Sequence, residues 1–462
     1  MTSPEVAQAT PPLYDAIVVG GGPAGASAAT RLAQRGRSVL VLERQRFPRF
    51  HVGESLIPET NRFLAELGVL DQVVAAGFPV KRGAILVAPD GEHERYAFFG
   101  DAHGVERAET FEVPRDRFDE ILLGHATASG AEVRQGARAK AVELDAGGAL
   151  VTFEDEGGEA RARGRFLVDA SGRDGFLAKR LGLRRLDPEL RQVGLHAWYE
   201  DVVPPPPERV GDARLISIDG GGWAWLIPLG GRLTSVGVVI SKERHATLPT
   251  GDPARCLDLL LDAVPALPPL VGGARRVSPV RVDGDYSYVT RAYAGERWLL
   301  TGDAGSFLDP VFSTGVLLAL ASGLEAGDTV DRALAGGGPE DRAPDKAARR
   351  HLALYEREQK RRYRFFRRFV VSYYRPEFRD LLLSPTERFG LARALVGALA
   401  GSSRPSLLDR LRLRLFFTFV ELQRFVEITP RLHGREAEAR LRAEPELDGS
   451  PSPPVGARPE SP

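Results

Sequence analysis

The sequence predicts a mixed α/β (α+β) fold in which a Rossmann-like α/β domain carries an inserted antiparallel β-sheet domain and is followed by a helical region. Three observations predict this fold. A βαβ pattern of about thirty residues stands near the N-terminus, which is the length that such a unit needs. Short strand-like runs bounded by glycine fill residues 191–243. Residues 347–428 have a mostly helical apolar pattern.

The elements of the α/β domain follow from their apolar patterns. Tyr14 to Val19 predicts a buried parallel strand, because a continuous apolar run is typical of strands covered on both faces. Ala26 to Gln34 is rich in small residues and predicts a helix, and Ser38 to Glu43 predicts the second strand. Trp298 to Asp303 predicts a late strand that leads into a helix from Gly315 to Val330, so the domain is discontinuous in sequence.

The middle of the chain predicts further strands and one helix. Residues 83–113 and 133–168 contain strand-like runs broken by Gly and Asp, and Arg115 to Ser129 has a helical pattern. An antiparallel sheet is the natural interpretation of the glycine-bounded strands that follow. The clearest of these strands are Leu215 to Ile218, Trp223 to Leu229 and Thr234 to Ile240.

Composition and charge exclude several classes of protein. Lys plus Arg and Asp plus Glu both number 62 among 462 residues, so the formal net charge is zero, which argues against a nucleic-acid-binding protein. The single cysteine, Cys256, excludes an intramolecular disulfide and a cysteine-based metal cluster. His51, His196 and His351 have no metal-ligand spacing, and we predict no metal site.

The chain has neither a signal-peptide pattern nor an uncharged apolar run of about 18 residues. We therefore expect no membrane-spanning helix, and the cytoplasm is the expected compartment.

A glycine-rich turn follows the first strand. Gly20, Gly22 and Gly25 form a Gly-x-Gly-x-x-Gly pattern, with Pro23 and Ala24 inside it. Such glycines permit a tight turn, a close backbone approach to a pyrophosphate and close packing of helix on strand. The helix that follows presents free N–H groups to the phosphates. The alternative is a purely structural turn.

The end of the second strand supports a dinucleotide site. Glu43 closes that strand, at the place where a carboxylate accepts hydrogen bonds from a ribose, and Arg44 follows it. With strand, helix and acid in place, the motif predicts dinucleotide binding.

Three further segments resemble the FAD-contacting motifs of the flavin monooxygenase and geranylgeranyl reductase superfamily. They are Pro114 to Asp119, Phe166 to Gly175 and Leu300 to Ala304. The resemblance implies that Asp303 meets the ribityl chain or the pyrophosphate, and that Arg117 or Arg115 lies near the flavin chain, with Arg117 as the candidate. It implies cofactor contacts for Asp169 and Gly172, although a tight strand–turn is the alternative for that segment.

Only one nucleotide fingerprint stands in the sequence. A second site for NAD(P)H is not visible, so we expect reduced FAD to arrive from a separate flavin reductase. The expected domains are listed here in chain order: a disordered tail at 1–13, the FAD-binding domain with part of the substrate sheet at 14–190, a mainly β-sheet substrate domain at 191–296, the return to the FAD-binding domain at 297–335, a helical C-terminal region at 347–430 and a disordered tail at 434–462.

Three short segments narrow the resemblance to the flavin-dependent halogenases. His51 to Pro58 is similar to the family's strap over the flavin, which implies contacts from Gly53, Glu54 and Ser55. Trp223 to Pro228 fits the family's Trp-x-Trp-x-Ile-Pro signature, and Phe307 to Gly315 fits its second signature.

The resemblance assigns roles to these segments. Trp223, Trp225 and Pro228 shape the flavin side and keep organic substrate away, although a Trp-x-Trp strand also suits a plain core. Backbone amides at Thr314 and Gly315 hold chloride or bromide at a helix start, and Pro310 and Gly315 contact the cofactor. An N-cap followed by a packing glycine is the alternative there.

Lys81 is the candidate catalytic residue. The family has a lysine after the strap and its helix, and its ammonium hydrogen-bonds hypohalous acid or forms a haloamine, which guides electrophilic halogen to an aromatic carbon. The alternative is a solvated lysine, since Arg82 beside it suits a surface turn.

One departure from the family bears on substrate. Free-tryptophan halogenases have a glutamate just before the Ser-Thr-Gly element, where this chain has Phe312. An electron-rich phenol or pyrrole needs no such carboxylate, so the resemblance favours these small aromatic substrates, free or tethered to an acyl or peptidyl carrier protein, in natural-product biosynthesis.

The basic aromatic stretch at 361–369 and the function itself each leave alternatives. The stretch is interpreted as a solvated helix with one buried aromatic face, a dock for an acidic carrier protein or a membrane-surface element. The rivals to a halogenase are a FAD-dependent hydroxylase or reductase of the same superfamily, and a flavin-binding protein that contacts a carrier protein without turnover.

Overall fold

The computed structural model describes residues 11–102, 108–284, 287–335, 345–383 and 390–433. The tail predicted at 434–462 and most of the tail predicted at 1–13 lie outside the described residues. The first strand begins at Leu13, so the last residue of the predicted N-terminal tail belongs to the α/β domain.

The elements in chain order are β1 (Leu13–Val19), α1 (Pro23–Gln34), β2 (Val39–Glu43), α2 (Glu59–Leu67), α3 (Leu70–Ala75), β3 (Val80–Lys81), β4 (Gly83–Val87), β5 (Glu94–Phe98), β6 (Thr110–Phe111), α4 (Arg115–Ala128), β7 (Glu132–Gln135), β8 (Arg138–Asp145), β9 (Gly148–Asp155), β10 (Gly158–Asp169), α5 (Phe176–Arg180), β11 (Arg184–Leu186) and β12 (Gln192–Glu200). They continue with β13 (Ala213–Ile218), β14 (Gly222–Gly230), β15 (Leu233–Ser241), α6 (Lys242–His245), α7 (Pro253–Asp262), α8 (Pro268–Val271), β16 (Arg275–Arg276), β17 (Arg281–Gly284), β18 (Tyr288–Thr290), β19 (Trp298–Leu300), β20 (Ser306–Phe307), α9 (Gly315–Ala335), α10 (Lys346–Tyr373), α11 (Pro376–Leu383), α12 (Leu391–Leu399) and α13 (Leu407–Leu422).

The first sheet is the core of the α/β domain. Its order is β7-β2-β1-β10-β9-β8, with β19 beside β10. Strands β7, β2, β1, β10 and β19 are mutually parallel, and β8 and β9 add an antiparallel hairpin. Ala16 and Val18 pack into the apolar cluster on one face of the sheet, and Ile17 packs into the cluster on the other. Burial on both faces explains the continuous apolar run that predicted a parallel strand.

The late helix α9 packs directly on the early helix α1. A Cβ at Gly323 would lie 2.2 Å from the carbonyl oxygen of Ala24, and one at Gly327 would lie 2.8 Å from Cβ of Arg31. The Oγ of Ser27 donates to the carbonyl oxygen of Leu320 at 2.9 Å. Small residues at the contact therefore let residues 315–335 complete a domain that starts at the N-terminus.

The second sheet has the order β16-β12-β15-β14-β13-β4-β5, with β17 beside β12. Its pairs are antiparallel as the sequence predicts, except that β4 and β13 run parallel. Ala224 and Leu226 pack with α7 on the outer face, while Trp223 and Trp225 join the main core on the inner face. The period of two along β14 thus aims both tryptophans toward the α/β domain.

The C-terminal helices close one side of the molecule. Phe378 of α11 packs against Phe416 and Phe417 of α13, with ring centroids 5.5 and 6.3 Å apart. The helical region ends at Leu422, eight residues before the predicted boundary. None of the helices in the described part of the chain is long and apolar enough to cross a membrane.

The basic aromatic stretch lies within α10 and is largely accounted for inside the chain. Phe366 and Phe369 are buried. Arg362 pairs with Glu325 at 2.6 Å and Arg367 pairs with Asp187 at 2.5 Å. These contacts favour the interpretation of a helix with one buried aromatic face.

Candidate active site

A cavity of about 900 Å³ lies between the two sheets, and Val396 and Leu399 of α12 line part of its wall. Its size is in the range of protein sites that hold cofactors and substrates. Most of the site residues predicted from sequence line it: Gly20, Gly22, Pro23, Ala24, Glu43, Arg44, Gly53, Glu54, Ser55, Lys81, Gly172, Trp223, Trp225, Asp303, Pro310 and Gly315.

The glycine turn is built by close backbone contacts. Gly20 has a φ of +105°, and a Cβ there would lie 2.3 Å from the carbonyl oxygen of Ala170. A Cβ at Gly25 would lie 1.8 Å from the carbonyl oxygen of Gly20, so Gly25 serves the packing of α1 on β1 and does not line the cavity. Helix α1 starts after Gly22 with Pro23 at its first turn and without a side-chain cap, which leaves its first N–H groups for a phosphate.

Glu43 stands at the end of β2 beside this turn. Its Oε2 accepts a hydrogen bond from the N–H of Gly21 at 2.6 Å, and its Oε1 accepts one from the N–H of Gln45 at 2.8 Å. Arg44 pairs with Asp174. The buried carboxylate therefore has a fixed orientation on the cavity wall, as a ribose acceptor requires.

Arg115, and not Arg117, reaches the cavity. Arg115 binds Asp119 through two hydrogen bonds of 2.7 and 2.9 Å and donates to the carbonyl oxygens of Val52 and Gly53. Arg117 is exposed, with its guanidinium 5.5 Å from the ring centroid of Phe78. The reason is helical phase, because Arg115 and Asp119 share the buried face of α4 and Arg117 lies on another face.

Asp169 lies behind the wall rather than on it. It accepts hydrogen bonds from Ser171 N at 3.0 Å, Ser171 Oγ at 2.5 Å and Leu177 N at 2.7 Å. Burial raises the pKa of Asp169, against the lowering effect of these donors. Its position suits holding the turn that presents Gly172, whose φ is +62°, to the cavity.

Asp303 lies on the cavity wall at the start of the segment after β19. Burial raises the pKa of Asp303 to about 6, while Arg115, Arg173 and Arg184 lower it. The positive charges of three guanidinium groups thus act on this carboxyl, which makes the region suitable for the phosphates of a dinucleotide.

The strap at 51–58 is fixed by backbone pairing. The N–H of Val113 donates to the carbonyl oxygen of Glu54 at 2.6 Å, and the N–H of Leu56 donates to the carbonyl oxygen of Phe111 at 3.1 Å. Glu54 accepts a hydrogen bond from Nε1 of Trp198 at 2.8 Å, and burial raises its pKa. The strap therefore lies as a short extra strand over the cavity.

Lys81 is buried, with 3% of its surface exposed. Its Nζ donates to Oγ of Ser55 at 2.6 Å and to the carbonyl oxygen of Leu56 at 3.1 Å. Oε1 of Glu112 lies 3.6 Å from the same nitrogen. The ammonium is held on the cavity wall, so the alternative of a solvated surface lysine does not describe this side chain.

The two signature tryptophans pack together on the inner face of the second sheet. The ring centroids of Trp223 and Trp225 are 5.3 Å apart. Nε1 of Trp225 donates to Oγ of Ser235 at 3.1 Å, and Nε1 of Trp223 donates to the hydroxyl of Tyr374 at 3.2 Å. Pro228 does not line the cavity. Ile227, the residue before it in β14, lines the cavity instead.

The segment before α9 presents a helix start to the cavity. Ser313 adopts a φ of +55°, which a residue other than glycine rarely does. Gly315 begins α9 with nothing within 4 Å of where its Cβ would lie, and it lines the cavity, whereas the buried side chain of Thr314 does not. Asp309 accepts a hydrogen bond of 2.7 Å from the hydroxyl of Tyr374. Tyr374 directly follows α10, so this bond links the segment to the C-terminal end of that helix.

Comparisons with known proteins agree with this geometry. A family model described as an FAD binding domain matches residues 13–354. Over 427 residues the chain is 32% identical to a 1H-pyrrole-2-carbonyl-(peptidyl-carrier protein) chlorinase of Pseudomonas fluorescens, across 86% of this chain and 92% of the relative.

Solved structures share the fold across nearly the whole chain. A flavoprotein/dehydrogenase from Cytophaga hutchinsonii matches with a TM-score of 0.81 at 26% identity, covering 89% of this chain and 99% of that one. The myxobacterial chondrochloren halogenase matches with a TM-score of 0.73 at 31% identity, covering 90% and 97%.

The chain belongs to the flavin-dependent halogenases. It is an oxidoreductase with FAD as cofactor and a halide as cosubstrate. When bound, reduced FAD together with oxygen supplies the oxidation of halide to hypohalous acid.

The residues of this halogenase fit FAD. The uncapped start of α1 and the close backbone contact at Gly20 would provide a cradle for the pyrophosphate, and Glu43 beside this turn would accept hydrogen bonds from the ribose. Gly315 would allow a ring system to approach the backbone, since nothing lies within 4 Å of where its Cβ would be, whereas a Cβ at Gly53 would lie 3.0 Å from a guanidinium nitrogen of Arg115.

Several functional contacts have no local signal in the sequence. Glu112, Trp198 and Tyr374 touch Ser55, Glu54 and Trp223 from positions 57, 144 and 151 residues away. In the sequence, a buried polar residue of such a pair is seen only as an isolated polar residue among apolar ones. Many exposed positions show the same pattern, so the sequence alone does not distinguish the two.

Proposed function

We propose that this halogenase chlorinates or brominates an electron-rich aromatic ring, a phenol or a pyrrole, in natural-product biosynthesis. The observation that carries the proposal is Lys81, which is 3% exposed yet lies on the wall of the same cavity as Trp225 and Gly315. A buried ammonium at that place is suited to hydrogen-bond hypohalous acid and direct its halogen to a ring carbon. Release of free oxidant would need no such residue.

The chemistry of the wall supports an activated ring. Phe312 is buried and packs edge-on against Tyr373, with ring centroids 5.6 Å apart, so no carboxylate stands before the Ser-Thr-Gly element. A phenol or pyrrole delocalises the charge of the attacked ring through its own heteroatom. The relative from Pseudomonas fluorescens acts on a pyrrole attached to a peptidyl-carrier protein, and we propose a carrier-tethered substrate here as well.

The further roles are proposals of the same kind. The amides of Thr314 and Gly315 hold the halide at the start of α9. A separate flavin reductase supplies reduced FAD, which the single glycine fingerprint at 20–25 supports. The segments 14–190 and 297–335 form the cofactor domain, and 14–190 also carries part of the substrate sheet. Residues 191–296 form the rest of the substrate domain, and the helices within 347–430, which end at Leu422, cover it.

The test supplies the protein with reduced FAD from a flavin reductase, oxygen and bromide. A free phenol, a free pyrrole-2-carboxylate and the same pyrrole on a carrier protein are offered separately, and products are read by mass and isotope pattern. We expect ring bromination that falls about 100-fold or more in Lys81→Met. Lys140→Met is the matched control, because Lys140 is an exposed lysine paired with Glu154 on the strand surface.

Two outcomes would contradict the proposal. Undiminished ring bromination in Lys81→Met would remove the lysine from the reaction. Hydroxylated or reduced product without halogen, from all three substrates, would replace the aromatic halogenation with another flavin reaction.

A further inference from the structure

The group behind Lys81 is a buried carboxylate. Glu112 lies between β6 and α4 and has no exposed surface. Its backbone forms an isolated antiparallel β-bridge with Ser55 of the strap. Oε1 of Glu112 accepts a hydrogen bond from Oγ of Ser55 at 3.2 Å, and that same Oγ accepts one from Nζ of Lys81 at 2.6 Å. Because Nζ of Lys81 also lies 3.6 Å from Oε1 of Glu112, the three polar atoms form a compact triangle behind the cavity wall.

The second oxygen of Glu112 has no partner among the described residues. Oε2 is buried and makes no hydrogen bond there, which is costly for an ionised carboxylate and less so for a neutral acid. Glu112 does not line the cavity, so it does not touch a substrate or a cofactor. Its contact with the reaction runs through Ser55 and Lys81.

The charges that face Glu112 come from two other segments. Lys81 on β3 lies 3.6 Å from Oε1, and the charge of Asp212, before β13, also acts on Glu112. Asp212 is itself held by the N–H groups of Arg82 and Gly83 at 2.6 and 2.9 Å. The pKa of Glu112 is raised to about 8, chiefly by burial and to a smaller extent by the charge of Asp212, while Lys81 and Ser55 lower it.

We propose that Glu112 is a positioning residue that holds the ammonium of Lys81 at the cavity through Ser55. When Glu112 releases its proton, it changes from a neutral acid to a carboxylate, and the ammonium then faces a negative charge. This inference rests on the proposed role of Lys81. At neutral pH the lysine faces a neutral acid, and its positive charge is directed to the cavity. Above about pH 8 the carboxylate competes for the ammonium and draws the charge back into the protein.

The first test observes the lysine and needs no turnover. The chain has six lysines, so ¹³C-lysine labelling of the FAD-loaded protein gives few signals, and the missing signal in Lys81→Met assigns Lys81. We expect the Lys81 signal to move with a midpoint near pH 8 in the wild type and to lose that step in Glu112→Gln. Glu109→Gln is the control, because Glu109 is a half-exposed carboxylate three residues away that pairs with Arg82, and its variant keeps the step. A step that persists in Glu112→Gln, or a wild type without one, overturns the proposal.

The second test separates oxidant formation from its use. In the wild type we expect ring bromination, relative to bromide oxidation without aromatic substrate, to fall about 10-fold between pH 7 and pH 9, because the carboxylate then draws the ammonium away from the oxidant. In Glu112→Gln, which keeps an uncharged partner at every pH, we expect this ratio to stay constant over the same range. A ratio that falls equally in both proteins, or a wild-type ratio that does not fall, overturns the proposal. Glu112→Asp keeps an ionisable partner and should keep a pH-dependent fall, and FAD absorbance with the melting temperature shows that each variant is folded. If the wild type itself brominates nothing, the proposed function fails, and the lysine signal alone decides the role of Glu112.

Discussion

The sharpest prediction about packing concerns the glycine beneath the second signature tryptophan. Gly237 on β15 lies opposite Trp225 on β14, and its missing side chain makes room for the indole. A Cβ at Gly237 would lie 2.2 Å from Cζ2 of Trp225 and 2.3 Å from Cη2. Carbon atoms prefer about 3.5 Å or more, so in Gly237→Ala the ring must move away from the sheet by about 1.3 Å.

That movement of the indole lowers the free energy of unfolding. Overpacking of this kind costs about 1–3 kcal/mol, and the hydrogen bond of 3.1 Å from Trp225 Nε1 to Ser235 Oγ, worth about 1 kcal/mol, is strained or lost. We expect the free energy of unfolding of Gly237→Ala to fall by about 2–4 kcal/mol. The indole also moves into the cavity, so FAD should bind more weakly.

Two measurements check both consequences. Chemical unfolding gives the free-energy change, and titration of the FAD-free protein followed by flavin fluorescence gives the affinity. Gly251→Ala is the control, since a Cβ there meets nothing within 4 Å. Wild-type stability and wild-type FAD affinity in Gly237→Ala would refute the reasoning that this glycine sets the position of the tryptophan.

Two further predictions follow from the site. Tyr374→Phe removes the hydroxyl that links Trp223 to the buried Asp309, so the free energy of unfolding should fall by about 1–3 kcal/mol; a change below about 0.5 kcal/mol in a denaturant titration would contradict this. Asp303 has its pKa raised from 3.8 to about 6, so its contribution to the stability of the FAD-free protein is full below pH 3.8 and is lost as the pH rises through 6. Relative to the wild type, Asp303→Asn should therefore gain about 2–3 kcal/mol between pH 4 and pH 7, and a difference that does not change with pH would contradict the assignment.

The elements that sequence predicts well are those whose signals are local. The βαβ unit and the turn from Gly20 to Gly25 combine a strand, three spaced glycines and a helix within one short stretch. The alternation along β14 is equally local, and it placed Trp223 and Trp225 on one face, where the structure has them. The period of apolar residues and the spacing of glycines are properties of neighbouring residues, so a single sequence is enough to predict these elements.

Phase and distant pairing are harder to predict from one sequence. The resemblance implies Arg117 or Arg115 near the flavin chain, and both stand at the start of α4. Only packing against Asp119 and the strap decides that Arg115 faces inward. The resemblance implies a cofactor contact for Asp169, yet its oxygens are used by the backbone of the turn at 171–175 and of α5. The support of Lys81 by Glu112 depends on how β3, β6 and the strap meet in space.

The discontinuity of the cofactor domain also determines when that domain can finish folding during synthesis. The hydrogen bond from Ser27 to Leu320 spans 293 residues, and β19 enters the first sheet from an equally late position. At ribosomal rates of about 5–20 residues per second, α1 waits roughly 15–60 s for α9. During that interval the face of α1 that packs on α9 has no native cover. Slower growth at lower temperature, or added chaperones, should therefore raise the yield of soluble protein more than stabilising the finished fold does.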